Sequence, residues 1–136
     1  HELRASYPHH ELCVVFGATG GKGVDRRDTM GIAAGRLADR IVITEDDPGP
    51  ESVEDICRTI AQRVEEQGNT CWKIVCDRER AIRTALAQAH KPAVVLVSGK
   101  GSEATMVRAN GPEPWETDAV VFARALSDMA AGSLDV

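Results

Sequence analysis

Residues 41–50 read Ile-Val-Ile-Thr-Glu-Asp-Asp-Pro-Gly-Pro, an apolar run followed at once by three carboxylates and a Pro-Gly-Pro turn. The apolar run is typical of a strand that is buried on both faces of a parallel sheet. Open α/β sheets bind their ligands at the carboxyl ends of their strands. The stretch therefore predicts a parallel sheet with an acidic loop, residues 44–50, at its ligand-binding edge. An acidic loop there favours a small cationic substrate.

Three further apolar runs predict strands at residues 12–16, 71–76 and 93–97, the last being the most apolar. Helices are expected to begin at the capping residues Asp28, Ser52, Asp77 and Thr117. Strand and helix thus alternate, which is typical of parallel βαβ units. A turn at residues 110–111 adds a hairpin, which an antiparallel edge strand would explain. We therefore predict an α/β, Rossmann-like three-layer domain, with a mostly parallel sheet of about six strands, one antiparallel edge strand, and helices on both faces.

The helix after Asp28 is predicted to run to about Asp39. It contains two glycines, which destabilise a helix by about 1 kcal/mol each relative to alanine. We expect them to be tolerated because the helix backbone packs closely on the sheet. The glycines are Gly31 and Gly35, and the residues predicted on the inner face are Met30, Ala33, Ala34 and Leu37.

The composition limits the functional classes that are open to the chain. Its 136 residues fit one domain, and the net charge of −5 argues against nucleic-acid binding. No apolar run approaches the roughly 18 residues that a membrane-spanning helix needs. Four cysteines lack the spacing of a zinc site and are interpreted as buried free thiols in a reducing cytoplasm, which also predicts a cytoplasmic location. They are Cys13, Cys57, Cys71 and Cys76.

The start of the chain is polar and lacks a methionine. Residues 1–11 are therefore expected to be the remnant of a linker from an absent preceding domain. Residues 12–136 are expected to form the folded domain.

A glycine-rich loop follows the first strand, with four glycines at residues 17–23. Such a loop can bring backbone N–H groups close to an anion. It is not a Walker loop, because only three residues separate Gly17 from Gly21-Lys22 and Gly23 replaces the hydroxyl residue that binds magnesium. The dinucleotide-binding pattern also fails, because residues 18–20 read Ala-Thr-Gly.

Three loops, residues 17–27, 45–50 and 98–103, should meet at one edge of the sheet, because each follows the carboxyl end of a parallel strand. The site that they form would combine acids, cations and glycine backbone. Its acids are Asp46, Asp47 and Glu103, and its cations are Lys22, Arg26, Arg27 and Lys100.

The order and spacing of these motifs resemble the C-terminal domain of the Mur ligases, in particular its tripeptide-forming members, over residues 12–128. The matching segments are 14–17 with the glycine loop, 30–31 after the paired arginines, 38–39, 44–48, 77–78 with 81–82, and 98–103.

The resemblance implies an ATP-dependent amide ligase of peptidoglycan synthesis that is built from three domains. The UDP-sugar, ATP and Mg²⁺ would be bound mainly by domains other than this one. The fragment should therefore contain no catalytic residue and no metal ligand, and should be inactive alone. Its partners would be L-lysine or a related diamino acid, with UDP-MurNAc-dipeptide and ATP bound by the other domains.

The resemblance also implies roles for single residues. The amino-acid substrate would be bound by Lys22, Asp46, Asp47, Gly49, Gly99 and Glu103. Arg26, Arg27 and Lys100 would be contacts on the phosphate or nucleotide side. Lys22 departs from the arginine that many relatives use for the α-carboxylate, and a lysine offers a point charge instead of a fork.

The acidic loop departs from the family pattern at one informative position. Family members that add meso-diaminopimelate commonly have Asp-Asn-Pro-Arg, and the arginine binds the distal carboxylate. Residues 46–49 read Asp-Asp-Pro-Gly, so the pocket loses a cation and gains an anion. This change favours a bare distal ammonium, as on lysine or ornithine.

Three alternatives remain open from the sequence. The first is a ligase domain that adds meso-diaminopimelate through an unusual pocket. The second is a free-standing α/β module that binds a small molecule. The third is a structural interaction domain, which explains the fold but not three charged loops on one edge.

Overall fold

The computed structural model describes residues 5–21, 24–89 and 92–135. Strands and helices alternate along the chain up to a hairpin, and a final helix follows. In order the elements are β1 (Glu11–Phe16), α1 (Val24–Leu37), β2 (Arg40–Ile43), α2 (Val53–Glu66), β3 (Trp72–Ile74), α3 (Arg78–Gln88), β4 (Ala93–Val97), β5 (Thr105–Arg108), β6 (Gly111–Pro114) and α4 (Asp118–Ala130).

The main sheet has the strand order β3-β2-β1-β4, and all of its neighbouring strands are parallel. The α/β fold class is thus confirmed. The six strands are divided differently from our expectation, because β5 and β6 form a separate antiparallel pair. The sheet of the described chain therefore has four strands and no antiparallel edge strand. Strand β4, expected to be buried on both faces, lies at the edge and leaves Leu96 39% exposed.

The sheet separates two hydrophobic clusters, because successive side chains of a strand point to opposite faces. On one face Ile41 and Ile43 of β2 pack with Ile56 and Ile60 of α2. On the other face Val42 packs in a cluster that contains residues of α3 and α4. The domain therefore has three layers, with helices on both faces of the sheet.

The predicted caps hold for three of the four helices. Ser52, Asp77 and Thr117 each accept a hydrogen bond from a backbone N–H in the first turn of the following helix. The prediction for Asp28 is wrong, because α1 begins at Val24. Asp28 lies in the second turn, where its carboxylate accepts a hydrogen bond of 2.7 Å from Nε of Arg63 in α2.

The two glycines of α1 allow close contact with α2. A Cβ at Gly31 would lie 2.8 Å from the carbonyl oxygen of Ile60, and one at Gly35 would lie 2.9 Å from that of Val64. Our expectation that they pack on the sheet is therefore wrong. The inner face of α1 was predicted only in part. Met30 and Ala34 are half-buried as expected, whereas Ala33 and Leu37 are exposed.

Gly31→Ala is expected to destabilise the domain by about 1–3 kcal/mol, because the new methyl group would overlap the backbone of α2. In an exposed helix the same change would stabilise by about 1 kcal/mol. Urea denaturation of the variant and the parent chain measures the difference. An unchanged or higher free energy of unfolding would show that α1 and α2 do not approach this closely.

The four cysteines are free thiols. Cys13 and Cys57 are buried as expected, and burial raises the pKa of each to about 12. Cys71 and Cys76 are exposed, which corrects the expectation that all four are buried. Within the described ranges, no helix combines the length and the apolar character that crossing a membrane requires.

Candidate functional site

The three loops predicted to converge do meet at the carboxyl edge of the sheet. The backbone N–H of Gly20 donates to the carbonyl oxygen of Asp47 at 3.1 Å, joining the glycine loop to the acidic loop. A Cβ at Gly99 would lie 2.6 Å from Oδ2 of Asp46, so the third loop also contacts the acidic loop. Glycine at these positions allows the loop backbones to come this close.

A cavity of about 460 Å³ lies between these loops and the first turns of α1. Asp46, Gly99 and Arg26 line it, together with Gly17 and other residues of the glycine loop. Its charged side chains are Asp46 from the acidic loop and Asp25 and Arg26 from the first turn of α1. This is the arrangement that an amino acid, which carries both signs of charge, can satisfy.

The three consecutive acids of the loop have different partners. Glu45 is 5% exposed and receives a bidentate pair from Arg108, at 2.9 and 2.7 Å. Asp47 Oδ1 accepts from Lys100 Nζ at 2.7 Å and from the backbone N–H of Val107 at 2.8 Å. The first acid therefore binds the hairpin through a side chain, and the third binds both the hairpin and the loop after β4.

Of the three acids in the loop, Asp46 is the one that lines the cavity. No residue of the described chain donates a hydrogen bond to its carboxylate, in contrast to those of Glu45 and Asp47. Burial raises the pKa of Asp46, although Arg78 and Lys100 lie close enough to oppose that shift. A partly buried carboxylate without a donor is suited to binding an ammonium group.

Lys100 is fully buried and binds two of the predicted site acids. Its Nζ donates to Asp47 at 2.7 Å and to Glu103 at 2.9 Å. Burial alone would lower the pKa of Lys100, but these two bonds outweigh it and the pKa is raised. Two of the acids assigned to the substrate amine thus already share a cation, and Lys100 faces carboxylates, not an open phosphate site.

The most extensively bonded residue near the site is Arg78, which the sequence analysis did not assign to it. Its guanidinium is fully buried and forms a bidentate pair with Asp118, with both distances 2.8 Å. It also donates to the carbonyl oxygens of Glu45 and Ser98, at 2.9 and 3.0 Å. Arg78 therefore joins two site loops to α4. The sequence offered two signals for Arg78, its position beside the cap Asp77 and its place in the family-like segment 77–78, but neither showed that its side chain is buried.

Two N–H groups of the glycine loop, those of Gly20 and Gly21, donate to the protein's own groups. Gly21 N–H donates to Glu51 at 3.0 Å, and the Arg27 guanidinium binds the same carboxylate at 2.8 and 2.7 Å. These bonds lower the pKa of Glu51, those from Arg27 most strongly. Arg27 is 6% exposed, whereas Arg26 is exposed at the cavity. Of the two arginines predicted to contact phosphate, Arg26 is thus the one placed to meet a ligand.

Gly49 and Lys22 were also predicted to bind the amino acid. Gly49 has φ +60° and donates its N–H to Val107 at 2.9 Å, and nothing lies within 4 Å of a Cβ placed on it. Lys22 lies outside the described residues. Among the residues that are described, no group of three or more His, Cys, Asp or Glu side chains is arranged to hold a metal ion.

The sequence and the fold were compared with known proteins. A family model described as the glutamate ligase domain of Mur ligases matches residues 1–101. UDP-N-acetylmuramyl-tripeptide synthetase of Roseiflexus sp. is 36% identical over 126 residues, which are 90% of this chain and 24% of that protein. The protein of the same name in Deinococcus radiodurans is 37% identical, over 91% of this chain and 25% of its own length.

A relative with a different name is similar to the same degree. UDP-N-acetylmuramoyl-L-alanyl-D-glutamate--2,6-diaminopimelate ligase of Prochlorococcus marinus is 42% identical over 74% of this chain and 20% of its own length. A solved structure of a ligase of that name superposes with a TM-score of 0.81 at 26% identity, covering 95% of this chain and 27% of the other. The chain spans about a quarter of the length of such relatives.

Proposed function

The chain belongs to the Mur ligase family, and from that premise we propose that it is the C-terminal, amino-acid-binding domain of an ATP-dependent ligase. In this proposal the complete ligase is a UDP-N-acetylmuramoyl-tripeptide synthetase, which joins a diamino acid to UDP-N-acetylmuramoyl-L-alanyl-D-glutamate. The expected boundary moves by one residue, because Glu11 already belongs to β1, so the proposal assigns residues 11–136 to the domain and residues 1–10 to the connection with the central domain. The setting is the cytoplasm, where ATP and the UDP-linked substrate are available.

The observation that carries the proposal is the placement of Asp46. It lines the cavity while its neighbours Glu45 and Asp47 are held by other residues of the domain. The diamino acid's distal ammonium would lie against Asp46, with Glu103 close enough to Asp46 to add its negative charge. Arg26, which is exposed and also lines the cavity, would meet a carboxylate or phosphate. The domain's contribution is to hold the amine in position for attack, an orientation effect worth several kcal/mol of barrier.

In this proposal ATP and Mg²⁺ are bound mainly by the other domains, and the support is that the N–H of Gly21 donates to Glu51 and not into an open phosphate site. When bound, they would supply activation of the peptide carboxylate. This chain's residues would bind and orient the incoming amino acid and exclude water from the site.

L-Lysine is the substrate that we favour, because Gly49 stands at the loop position where the diaminopimelate-adding members of the family carry the arginine that meets a second carboxylate. L-Ornithine offers the same charges on a shorter chain. meso-Diaminopimelate is the second candidate, favoured by the similarity to ligases that carry it in their names.

The deciding experiment is an amino-acid incorporation assay on the complete ligase with UDP-N-acetylmuramoyl-L-alanyl-D-glutamate and ATP. We expect phosphate release that depends on L-lysine or L-ornithine and a tripeptide product identified by mass spectrometry. Exclusive use of meso-diaminopimelate would contradict the specificity, and the absence of turnover with every diamino acid would contradict the function.

Gly49→Arg is expected to shift the preference of the complete ligase toward meso-diaminopimelate by tenfold or more, about 1.4 kcal/mol, through a new charge-assisted pair. The positive φ of Gly49 adds a strain of roughly 1–2 kcal/mol for arginine and less for asparagine. Gly49→Asn is the matched control, because asparagine tolerates this backbone and brings no charge. Relative kcat/KM values for the two amino acids measure the shift. An equal shift in the asparagine variant would trace it to the backbone, and no shift would contradict the specificity argument.

A further inference from the structure

We propose that Lys100 is a positioning residue for the amino-acid site, which binds Asp47 and Glu103 so that Glu103 and the neighbouring Asp46 are held where a substrate ammonium can meet them. This inference rests on the proposed function for its link to the amino acid. The positioning itself rests on contacts within the domain.

The first support is the set of segments that Lys100 joins. Its Nζ, fully buried, bonds Glu103 in its own loop and Asp47 in the acidic loop. The same oxygen of Asp47 accepts the backbone N–H of Val107 in the hairpin. One buried ammonium therefore connects the loop after β4, the acidic loop and strand β5. A lysine that only contacted a ligand would not need these partners.

The second support is the balance of charge. Asp47 and Glu103 lie close enough to Asp46 that both raise its pKa, in addition to the larger effect of burial. Lys100 opposes this repulsion. The side chain of Glu103 is 56% exposed, and within the described residues the hydrogen bond to its carboxylate comes from Lys100. Without Lys100, repulsion from Asp46 and Asp47 would drive Glu103 toward solvent.

The third support separates this role from a contact with nucleotide phosphate. The side chain of Lys100 has no exposed surface, and its ammonium is directed at two carboxylates. A phosphate would have to displace both of them. The role predicted by the resemblance thus requires breaking two charge-assisted bonds, whereas the positioning role uses them as they stand.

The test compares Lys100→Met with Lys73→Met in the complete ligase. Lys73 is an exposed residue of β3, so its variant removes a lysine charge away from the loops. Hydrogen–deuterium exchange measures how strongly the loop backbones are held in place, and it does not require an active enzyme. We expect amides of residues 44–50 and 98–103 to exchange at least about tenfold faster in Lys100→Met and at unchanged rates in Lys73→Met. Unchanged exchange in both variants would overturn the proposal.

Steady-state kinetics test whether Lys100 affects binding of the amino-acid substrate. We expect the KM for the amino acid to rise about tenfold or more in Lys100→Met, with the KM for ATP within about twofold of the parent. Glu103→Gln should raise the same KM, and the double variant should be no worse than the poorer single one, because Lys100 acts through Glu103. A raised KM for ATP, or additive effects, would overturn the proposal.

Two controls keep the outcomes separate. Should Lys100→Met not fold, Lys100→Gln serves in its place, since it removes the charge and keeps a donor for the two carboxylates. If the parent enzyme itself uses no diamino acid, the proposed function fails, and the exchange experiment alone decides whether Lys100 positions the loops.

Discussion

Arg78→Met is expected to lower the free energy of unfolding by about 3–5 kcal/mol, the typical loss when one partner of a buried ion pair is removed. Arg78 is fully buried, and its guanidinium donates to Asp118, Glu45 and Ser98. Methionine fills much of the same space but donates to none of them. The carboxylate of Asp118, 5% exposed, would then be buried without its cation.

The control is Arg80→Met, two residues further along α3. Arg80 is exposed, and it contributes its backbone N–H, not its side chain, to the cap by Asp77. Its replacement should change the free energy of unfolding by less than about 0.5 kcal/mol. Urea denaturation of both variants provides the comparison. Similar losses in the two variants would show that the Arg78 pair does not stabilise the domain. A double variant, Arg78→Met with Asp118→Asn, should recover part of the loss because it removes the uncompensated charge.

Asp46→Asn should have the largest effect on function, raising the KM for the diamino acid by tenfold or more. The reason is the loss of a charge-assisted bond, typically about 1.5–3 kcal/mol, to the substrate ammonium. Steady-state kinetics of the complete ligase measure it, and the KM for ATP should be unaffected. Asp135→Asn, in the exposed C-terminal segment, is the matched control. An unchanged KM for the amino acid would contradict the assignment of Asp46.

The same substitution is expected to stabilise the domain at neutral pH. Burial raises the pKa of Asp46 in the folded protein, so the folded state binds this proton more tightly than the unfolded chain does. The stability contributed by protonation is fully present below the unfolded pKa and is lost as pH rises through the folded pKa. Asparagine, which carries no charge at any pH, should therefore give a higher Tm than the parent at pH 7, and the difference should shrink near pH 4. A lower Tm at pH 7 would contradict this.

Much of the fold could be predicted from local patterns. The apolar runs at residues 12–16, 41–43 and 93–97 are strands, and Ser52 and Asp77 begin helices as their chemistry predicts. The meeting of the three site loops could be predicted because each loop follows a strand of one parallel sheet. These features depend on neighbours in sequence or on the handedness of βαβ units, so a single sequence contains them.

The rest depended on partners distant in sequence. Lys100 and Asp47 are 53 positions apart, and Arg78 and Asp118 are 40 apart. A charged residue looks the same in the sequence whether its partner is a substrate, another side chain or water. The start of α1 was missed for a similar reason, because Asp28 resembles a cap but is bonded to Arg63 in another helix.

The acidic loop gives each of three adjacent residues a separate task, since Glu45 binds Arg108, Asp46 faces the cavity and Asp47 binds Lys100. One residue inserted or deleted before Glu45 would leave the loop equally acidic and yet move every side chain into its neighbour's place. When this loop is exchanged between ligases, keeping its number of residues should therefore matter more than keeping its acidic residues. A graft that matches the acids but shifts them by one would be expected to lose the hairpin before it changes the substrate.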